Sequence, residues 1–402
     1  MAANYEVTQV VAKEALMELK NSLQLAKNVG RQYSGEFEKT DIGKTIEIKR
    51  PVRYSTNNTL QINNFQNPYE RVEPLTLSPL NVGVQVSAED LRFNINNFNE
   101  TVIRPAIISL ANSIDATIGA EIQSFNLFTG TPGTPINSFQ TIIDFNQLLL
   151  EYGISQSDVC LILDPTNYGG ALGSLYNLFN RSVSDPIVRK GYLGTLLDMY
   201  TYQDQNIVKH TVGNYSGTPV TAVAGETGAN LTTSGWTANV TGLLKKYDKI
   251  TIDGVFGVNP LTRSPTSRLA QFTVTDDVDS DASGNAVIPI YPSINDGTLV
   301  DQEPYKNVSI SIPLNAAVNV LGAANSQYVM NAGFWKEGVT LATATLKRPF
   351  GAPYFYTAVD EDTKIGISVT ADFDINNAES KMRFDVYVGA KAFSGYGAIL
   401  AG

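Results

Sequence analysis

Residues Ser87 to Phe128 read SAEDLRFNINNFNETVIRPAIISLANSIDATIGAEIQSFNLF, and this stretch decides the fold. Ile103, Ile107, Leu110, Ile114, Ile118, Ile122 and Phe125 recur at spacings of three and four, the period of one apolar face of an α-helix. Ser109, Asn112, Ser113, Asp115 and Gln123 fall between them, so the pattern predicts one long amphipathic helix from Thr101 to Asn126. At ~1.5 Å per residue it would extend for roughly 40 Å, too long for one side of a compact domain, and it reads as a spine. Pro105 in a helix interior would delete a backbone hydrogen bond, but near the first turn it is tolerated. The regular helix is therefore expected to start close to Arg104, with a kink or a separate short turn over Asn97 to Ile103.

Upstream, Val7, Val10, Val11, Ala15, Leu19, Leu23 and Ala26 repeat the helical period and end near Gly30, an amphipathic arm with Glu14, Glu18 and Lys20 around it. Alternation over Gly43 to Tyr54 and again over Leu75 to Val86 predicts the two strands of a long projecting hairpin. Its tip, Ser55 to Pro74, is polar, rich in Asn, Gln and Pro, and has no core face. A lone hairpin is marginal in water, so this one is expected to be ordered by another subunit.

Downstream, Gly130 to Pro135 breaks the chain. An amphipathic helix (Phe139, Ile142, Ile143, Phe145, Leu148, Leu149, Leu150), a buried strand over Val159 to Leu163 and a second helix over Thr166 to Phe179 follow. Gly191 to Gly213 reads as a polar, tyrosine-rich connection. From Gly217 charge drops, Thr, Gly and Val rise, and strand-like runs stand at Lys249 to Phe256, Ala270 to Thr275, Ala286 to Tyr291 and Val308 to Ile312. With no helical period there, Thr218 to about Ile312 reads as a small antiparallel β-barrel or sandwich inserted into the chain, because mixed patterns resume at Leu314 to Leu321 and Gly338 to Ala344. The tail carries two long strand runs, Ile365 to Phe373 and Met382 to Val388, around Asn376-Asn377. The fold class is α+β.

The 402 residues, 43% apolar and 17% charged, suffice for two or three core-bearing units. No run approaches the ~20 apolar residues of a membrane helix, and Glu6, Lys13, Glu14, Glu18 and Lys20 stand where a signal peptide would be apolar, so neither membrane nor export is expected. Cys160 is the single cysteine, which excludes an intrachain disulfide. A net charge of -10 argues against gripping nucleic acid through counterion release, but not against a container that leaves it mobile. Catalytic patterns are missing: His210 is the sole histidine, so triads and multi-His metal sites lack their parts, and it reads as a surface or interface residue. Gly43-Lys44-Thr45 imitates the end of a phosphate loop, but Glu38 occupies the position that needs glycine. Asp277-x-Asp279-x-Asp281 imitates a calcium loop and fails at Ala282 and Ile288, so it reads as an exposed hairpin tip turning at Ser283-Gly284-Asn285. No enzyme, cofactor or metal is expected.

The order arm, projecting hairpin, spine, α/β unit, inserted β-domain, return and closing strands resembles the Hong Kong 97-type major capsid protein, specifically the insertion-domain coat proteins of short-tailed Salmonella-type podoviruses. Ala88-Glu89-Asp90-Leu91-Arg92 leading into Ser109-Leu110-Ala111-Asn112 carries the likeness in the spine. Tyr247-Asp248-Lys249-Ile250-Thr251 and Gln271-Phe272-Thr273-Val274 carry it in the insertion, with Phe334-Trp335 and Arg383-Phe384-Asp385-Val386-Tyr387-Val388-Gly389 near the end. The resemblance implies an N-terminal arm (1–34), an E-loop (40–86), a peripheral domain (87–134 and 355–402), an axial domain (135–216 and 313–354) and an inserted β-barrel (217–312). It implies hexamers and pentamers in an icosahedral shell around double-stranded DNA held without sequence-specific binding, assembled in the host cytoplasm. It also implies a portal protein and, because no scaffold domain precedes the arm, a separate scaffolding protein. The inter-subunit candidates in the E-loop are Asn58, Gln61, Phe65, Tyr69 and Arg71. Family members bridge capsomers with a long charged insertion-domain loop, whereas its counterpart here, Gly225 to Trp236, carries only Glu226.

Two other readings stand beside this one: an encapsulin-like shell around cargo enzymes, and a soluble β-rich carbohydrate-binding or adhesin protein. An inner wall along which DNA slides should avoid dense Lys and Arg. Met1 to Gly30 offers Lys13, Lys20 and Lys27 against Glu6, Glu14 and Glu18, and Thr101 to Phe128 sets Arg104 against Asp115 and Glu121. Glu14 and Glu18, one helical turn apart, are the candidate contacts for a basic scaffolding partner.

Overall fold

The structure, a computed structural model, describes residues 2–37, 43–56, 60, 65–87, 89, 98–154, 158–176, 193–299, 302–351, 354–360 and 363–402. They divide into two compact units, Met1–Ile48 with Pro74–Glu121 and Val339–Lys391, and Lys49–Glu73 with Ile122–Gly338 and Ala392–Gly402.

The first unit contains most of the spine. A π-helical turn over Asn99–Ile103 leads into an α-helix over Arg104–Ile122, so Pro105 lies in the first turn, where its missing N–H is tolerated. Ile107, Leu110, Ile114 and Ile118 are buried as the period requires. The helix has 19 residues, about 29 Å at 1.5 Å each and shorter than the pattern implies. Phe125 keeps the apolar spacing, but the chain has already turned out of the helix there.

Asp115 departs from its predicted place. Read as a polar-side residue, it is 1% exposed, and its two oxygens accept from the backbone N–H groups of Gln24 (2.9 Å) and Ala26 (3.0 Å). Those donors lie where the arm helix Ala2–Ser22 has ended and a 3-10 turn over Leu25–Asn28 begins. Backbone groups stranded at such a break need acceptors, and a carboxylate supplies strong ones. The arm buries Ala12, Ala15, Leu19, Leu23 and Ala26, while Val10, expected on the same face, is 54% exposed. Gly30 then donates to the Val339 carbonyl (2.8 Å) and accepts from Leu341 (2.9 Å), tying the end of the arm to a strand.

The sheet of this unit has five strands: Val339–Ala344, Glu379–Ala392, Gly366–Asp374, Tyr354–Val359, and Ser78–Ser87 added on Glu379–Ala392. The turn between the two tail strands falls at Asn376-Asn377, as read from the sequence. The alternation over Leu75 to Val86 is not one hairpin strand. Val72–Thr76 pairs with Thr45–Lys49, and Ser78–Ser87 leaves the hairpin to pair with the tail, from Ser87↔Glu379 to Ser78↔Val388. A period of two says that a segment is extended and one-sided; it does not name the partner.

In the second unit a seven-stranded sheet runs in the order Leu127–Gly130, Gly397–Ala401, Gln327–Trp335, Val159–Leu163, Met199–Gln203, Thr195–Leu196, with Lys209–Thr211 also on Gln327–Trp335. The segment Gly191 to Gly213, read as a polar, tyrosine-rich connection, thus holds three strands. Each is short, two to five residues, and none shows a clear apolar alternation. The helices Phe139–Glu151 and Pro165–Tyr176 pack on this sheet through Phe145, Leu148, Leu149, Ala171 and Leu175. Ser138 caps the first, accepting from Gln140 N–H. Gly397 is required by space: a Cβ there would lie 2.5 Å from the Phe125 ring.

A six-stranded antiparallel sheet runs Val318–Val320, Lys249–Val258, Pro265–Val274, Ala286–Ile294, Gly228–Trp236, Gly217–Thr221. An isolated bridge, Val220↔Ala317, joins the neighbourhoods of its two edges. Two expectations are corrected. Val308 to Ile312 is not a strand; it makes one bridge, Gly257↔Val308, and buries Val308 and Ile312 in the core of the sheet. Gly225 to Trp236 is not a loop, because Gly228–Trp236 pairs on both sides and buries Leu231.

Replacing Asp115 by Ala should lower stability by about 1–3 kcal/mol in equilibrium urea unfolding, the cost of stranding buried donors. It should also speed tryptic cleavage after Lys20 and Lys27, with Asp115→Asn intermediate.

Candidate functional site

Two polar joints in the second unit hold the elements that bear on function. The first is at the end of the spine. Lys249, at the start of its strand, is fully buried, and Nζ donates to the carbonyls of Gln123 (2.7 Å) and Phe125 (2.6 Å) and to Thr273 Oγ1 (2.8 Å). The Thr273 hydroxyl donates onward to the Phe125 carbonyl (3.2 Å), so Lys249 must be the donor in all three bonds, the number an ammonium carries. Burial pushes the lysine well below its ordinary pKa and the neighbouring Asp248 opposes the fall. Of the carbonyls it serves, that of Gln123 follows directly on the helix end at Ile122 and that of Phe125 lies in the turn beyond it.

Gln271 extends the joint. Its side-chain oxygen accepts from Phe128 N–H (2.8 Å) and its amide donates to the Phe128 carbonyl (2.7 Å), reproducing a strand's pair of ladder bonds with a side chain. Asn126 Nδ2 donates to the Gln271 carbonyl (3.2 Å). Beneath, Asp248 is fully buried: one oxygen meets His210 Nε2 at 2.6 Å, the other accepts from Lys245 (2.7 Å) and Gly213 (3.1 Å) N–H groups. His210 is therefore neither a surface nor an interface residue. It is 6% exposed, edge-on to the Tyr328 ring at 5.7 Å, because its partner carboxylate lies inside.

The second joint is the root of the projecting hairpin. Arg50, 8% exposed, pairs with Glu73 (3.0 Å), donates to the Ser394 carbonyl (2.6 Å) and lies over the rings of Phe393 and Tyr396. Tyr291 donates to the same Glu73 oxygen (3.1 Å). Tyr305 accepts from Arg53 N–H (2.9 Å) and donates to the Tyr69 carbonyl (3.2 Å), while Arg71 stacks over its ring at 4.4 Å. Arg263 donates to the Tyr54 carbonyl (2.6 Å). A cleft of about 500 Å³ opens between Tyr69–Glu73 and the segment from Tyr291 to Asn307. The root is thus held by contacts within its own chain.

Of the E-loop candidates, Phe65 is 81% exposed with Leu60 near it in sequence at 105%, Tyr69 and Arg71 belong to the root, and Asn58 and Gln61 lie outside the described residues. Glu14 accepts from Asn99 Nδ2 (2.7 Å) and Glu18 from Arg104 Nε (2.9 Å), so both arm acids already hold the start of the spine. Lys20 pairs with Asp360 at 3.0 Å. Asp115, counted with the wall charges, is buried. Asp281 accepts from Ser283 and Asn285 N–H at a hairpin turn, as read. Asp277 and Asp279 cap the N–H groups of Lys246 and Gly242, so backbone donors occupy the calcium-like positions. The Cys160 thiol is buried in its strand, which raises its pKa to about 11. Sequence reasoning missed Lys249, Asp248 and Gln271 as joint residues; the signal available was charge and amide inside strand-like apolar runs, where each must have a partner.

The comparisons agree with this architecture. A solved structure from Mycobacterium phage Che8 is similar with a TM-score of 0.52 at 11% identity, covering 94% of this chain and 90% of that one, which shows a shared fold. A solved capsid of Ralstonia phage GP4 covers 94% and 87% at 7% identity and a TM-score of 0.46. The major capsid protein of Acyrthosiphon pisum secondary endosymbiont phage 1 is 21% identical over 424 residues, 96% of each chain. The family described as P22 coat protein, gene protein 5, matches residues 1–197 and 206–398. The class is therefore bacteriophage capsid proteins, structural components of the virion. The chain belongs to the P22 coat protein family and is a major capsid protein.

Lys249→Met keeps the bulk but takes the lysine donor from the buried Gln123 carbonyl and leaves the Phe125 carbonyl with Thr273 alone, at about 1–3 kcal/mol. Calorimetry of the purified subunit should show a lowered melting temperature.

Proposed function

We propose that this chain self-assembles as hexamers and pentamers into an icosahedral shell that encloses double-stranded DNA, in the host cytoplasm, around a portal and with a separate scaffolding protein. The observation that carries the reading is the family match along nearly the whole chain. The division into arm (1–34), E-loop (40–86), peripheral (87–134, 355–402) and axial domains (135–216, 313–354) follows from it. The inserted domain is a β-barrel: its six-stranded sheet comes close to closing at Val220↔Ala317, and Val318–Val320 joins it from beyond the 217–312 segment.

The E-loop works as an inter-subunit strap. Its support is the exposure of Phe65 and Leu60, apolar side chains at the far side of a hairpin whose root is fixed by Arg50. The arm acids Glu14 and Glu18 hold a basic scaffolding partner by exchanging their bonds to Asn99 and Arg104 for its cations. DNA makes no sequence-specific contact, in keeping with a net charge of -10.

Electron microscopy of the protein co-expressed with its scaffold should show closed shells; small soluble oligomers alone would sink the reading. Deleting Asn58 to Asn67 should leave a folded subunit that makes no shells, judged by circular dichroism and negative-stain images. Changing both Glu14 and Glu18 to Lys should weaken scaffold binding at least tenfold and make the remainder insensitive to salt. Unaltered salt dependence would make the arm a clamp only.

A further inference from the structure

The hairpin root carries more positive charge than it uses. Arg50 is matched by Glu73 (3.0 Å) and Lys49 by Glu70 (2.7 Å). Among the described residues, no carboxylate lies within ion-pairing distance of Arg53, Arg71 or Arg263. Arg263 spends one arm on the Tyr54 carbonyl, and Arg71 stacks on Tyr305 with its Nε buried and unpartnered. A buried guanidinium N–H without an acceptor is costly, and three guanidiniums in one neighbourhood repel one another. Burial first, and then the charges of Arg50 and Arg53, depress the Arg71 pKa; Arg53 is lowered by burial and further by Arg50 and Arg263. Arg71 and Glu73 line the cleft of about 500 Å³, which is open and wide enough for a side chain to enter.

From this geometry we infer that the cleft beside Arg53 and Arg71 is a carboxylate-binding site, and that its occupant is an acidic side chain from a second copy of this chain. The charge of the molecule favours this occupant. At net -10, two copies repel on average, and a contact that sets a basic surface against an acidic one offsets that repulsion. Exposed carboxylates are plentiful, with Asp276, Asp277 and Asp279 on one hairpin and Asp372 on another. A planar guanidinium takes a carboxylate through two parallel bonds, and Arg71, which lines the cleft, has no carboxylate of its own chain within ion-pairing distance among the described residues. The inference rests on the shell-forming reading and assigns one of its contacts.

The test uses the full-length protein. Arg53→Gln with Arg71→Gln should melt within a few degrees of wild type as a subunit, while its assembly rate at low salt falls at least tenfold and loses its salt dependence. Arg71→Lys provides a readout that survives any folding defect in the double variant. Isotope-labelled and unlabelled copies of Arg71→Lys are co-assembled, treated with a zero-length carbodiimide and digested. A cross-link from position 71 to an Asp or Glu of the other isotope supports the site. Cross-links only within one copy, as to Glu73, or none at position 71, overturn it. A short DNA duplex bound by wild type and released by the double glutamine variant would also overturn it, because the cleft would then serve phosphate. Wild-type protein that forms no particles defeats the shell reading itself, whereas normal particles from the double glutamine variant defeat only the cleft.

Discussion

An ammonium sealed from water is tolerable only where three acceptors already wait for it, and Lys249 is placed by that constraint. Two of the acceptors are available because the spine stops at Ile122 and the chain turns there, leaving the Gln123 and Phe125 carbonyls outside the helix, and Thr273 supplies the third. Each side of the joint thus removes the other's penalty: without the lysine the turn would lose a donor at both carbonyls, and without the turn the lysine would bury a charge short of acceptors. Gln271 and Thr273 on the neighbouring strand complete the set, so a six-stranded sheet of otherwise apolar interior is fixed against Gln123–Phe128 by directional bonds. Hydrophobic contact alone would allow sliding; these bonds set a register.

The parts of the fold that were legible in the sequence are those that one element determines by itself. The isoleucine spacing gave the spine, Pro105 its starting point, and Asn376-Asn377 the tail turn. The illegible parts depend on a partner far along the chain. Asp115 has the spacing of a solvent-side residue, and only the arm's broken helix end, some ninety positions earlier, makes it a core acceptor. His210 reads as a surface residue until Asp248 is placed beneath it. Gly228–Trp236 is rich in Thr, Ser and Gly, and its strand character comes from neighbours on both sides rather than from propensity.

The same division holds for the candidate site. Arg71 and Tyr69 could be picked out in a polar segment, but no local pattern joins them to Tyr291 and Tyr305, more than two hundred residues away. That joint makes the base of the hairpin stiff while Phe65 stays exposed beyond it. The proposed strap would draw on this asymmetry, since a fixed origin leaves the far end less conformational entropy to lose on meeting a neighbour.

The pairing of Ser78–Ser87 with Glu379–Val388 has a consequence in time. A ribosome adding about 5–20 residues per second needs roughly 15–60 s to cover the intervening chain. During that interval a ten-residue strand with an alternating apolar face has no native partner, and its backbone edge is open to any other extended segment. A cell filling with nascent copies of one coat chain supplies many such segments, all identical. Yield in that setting is governed by how quickly each tail reaches its own strand before a neighbour's does.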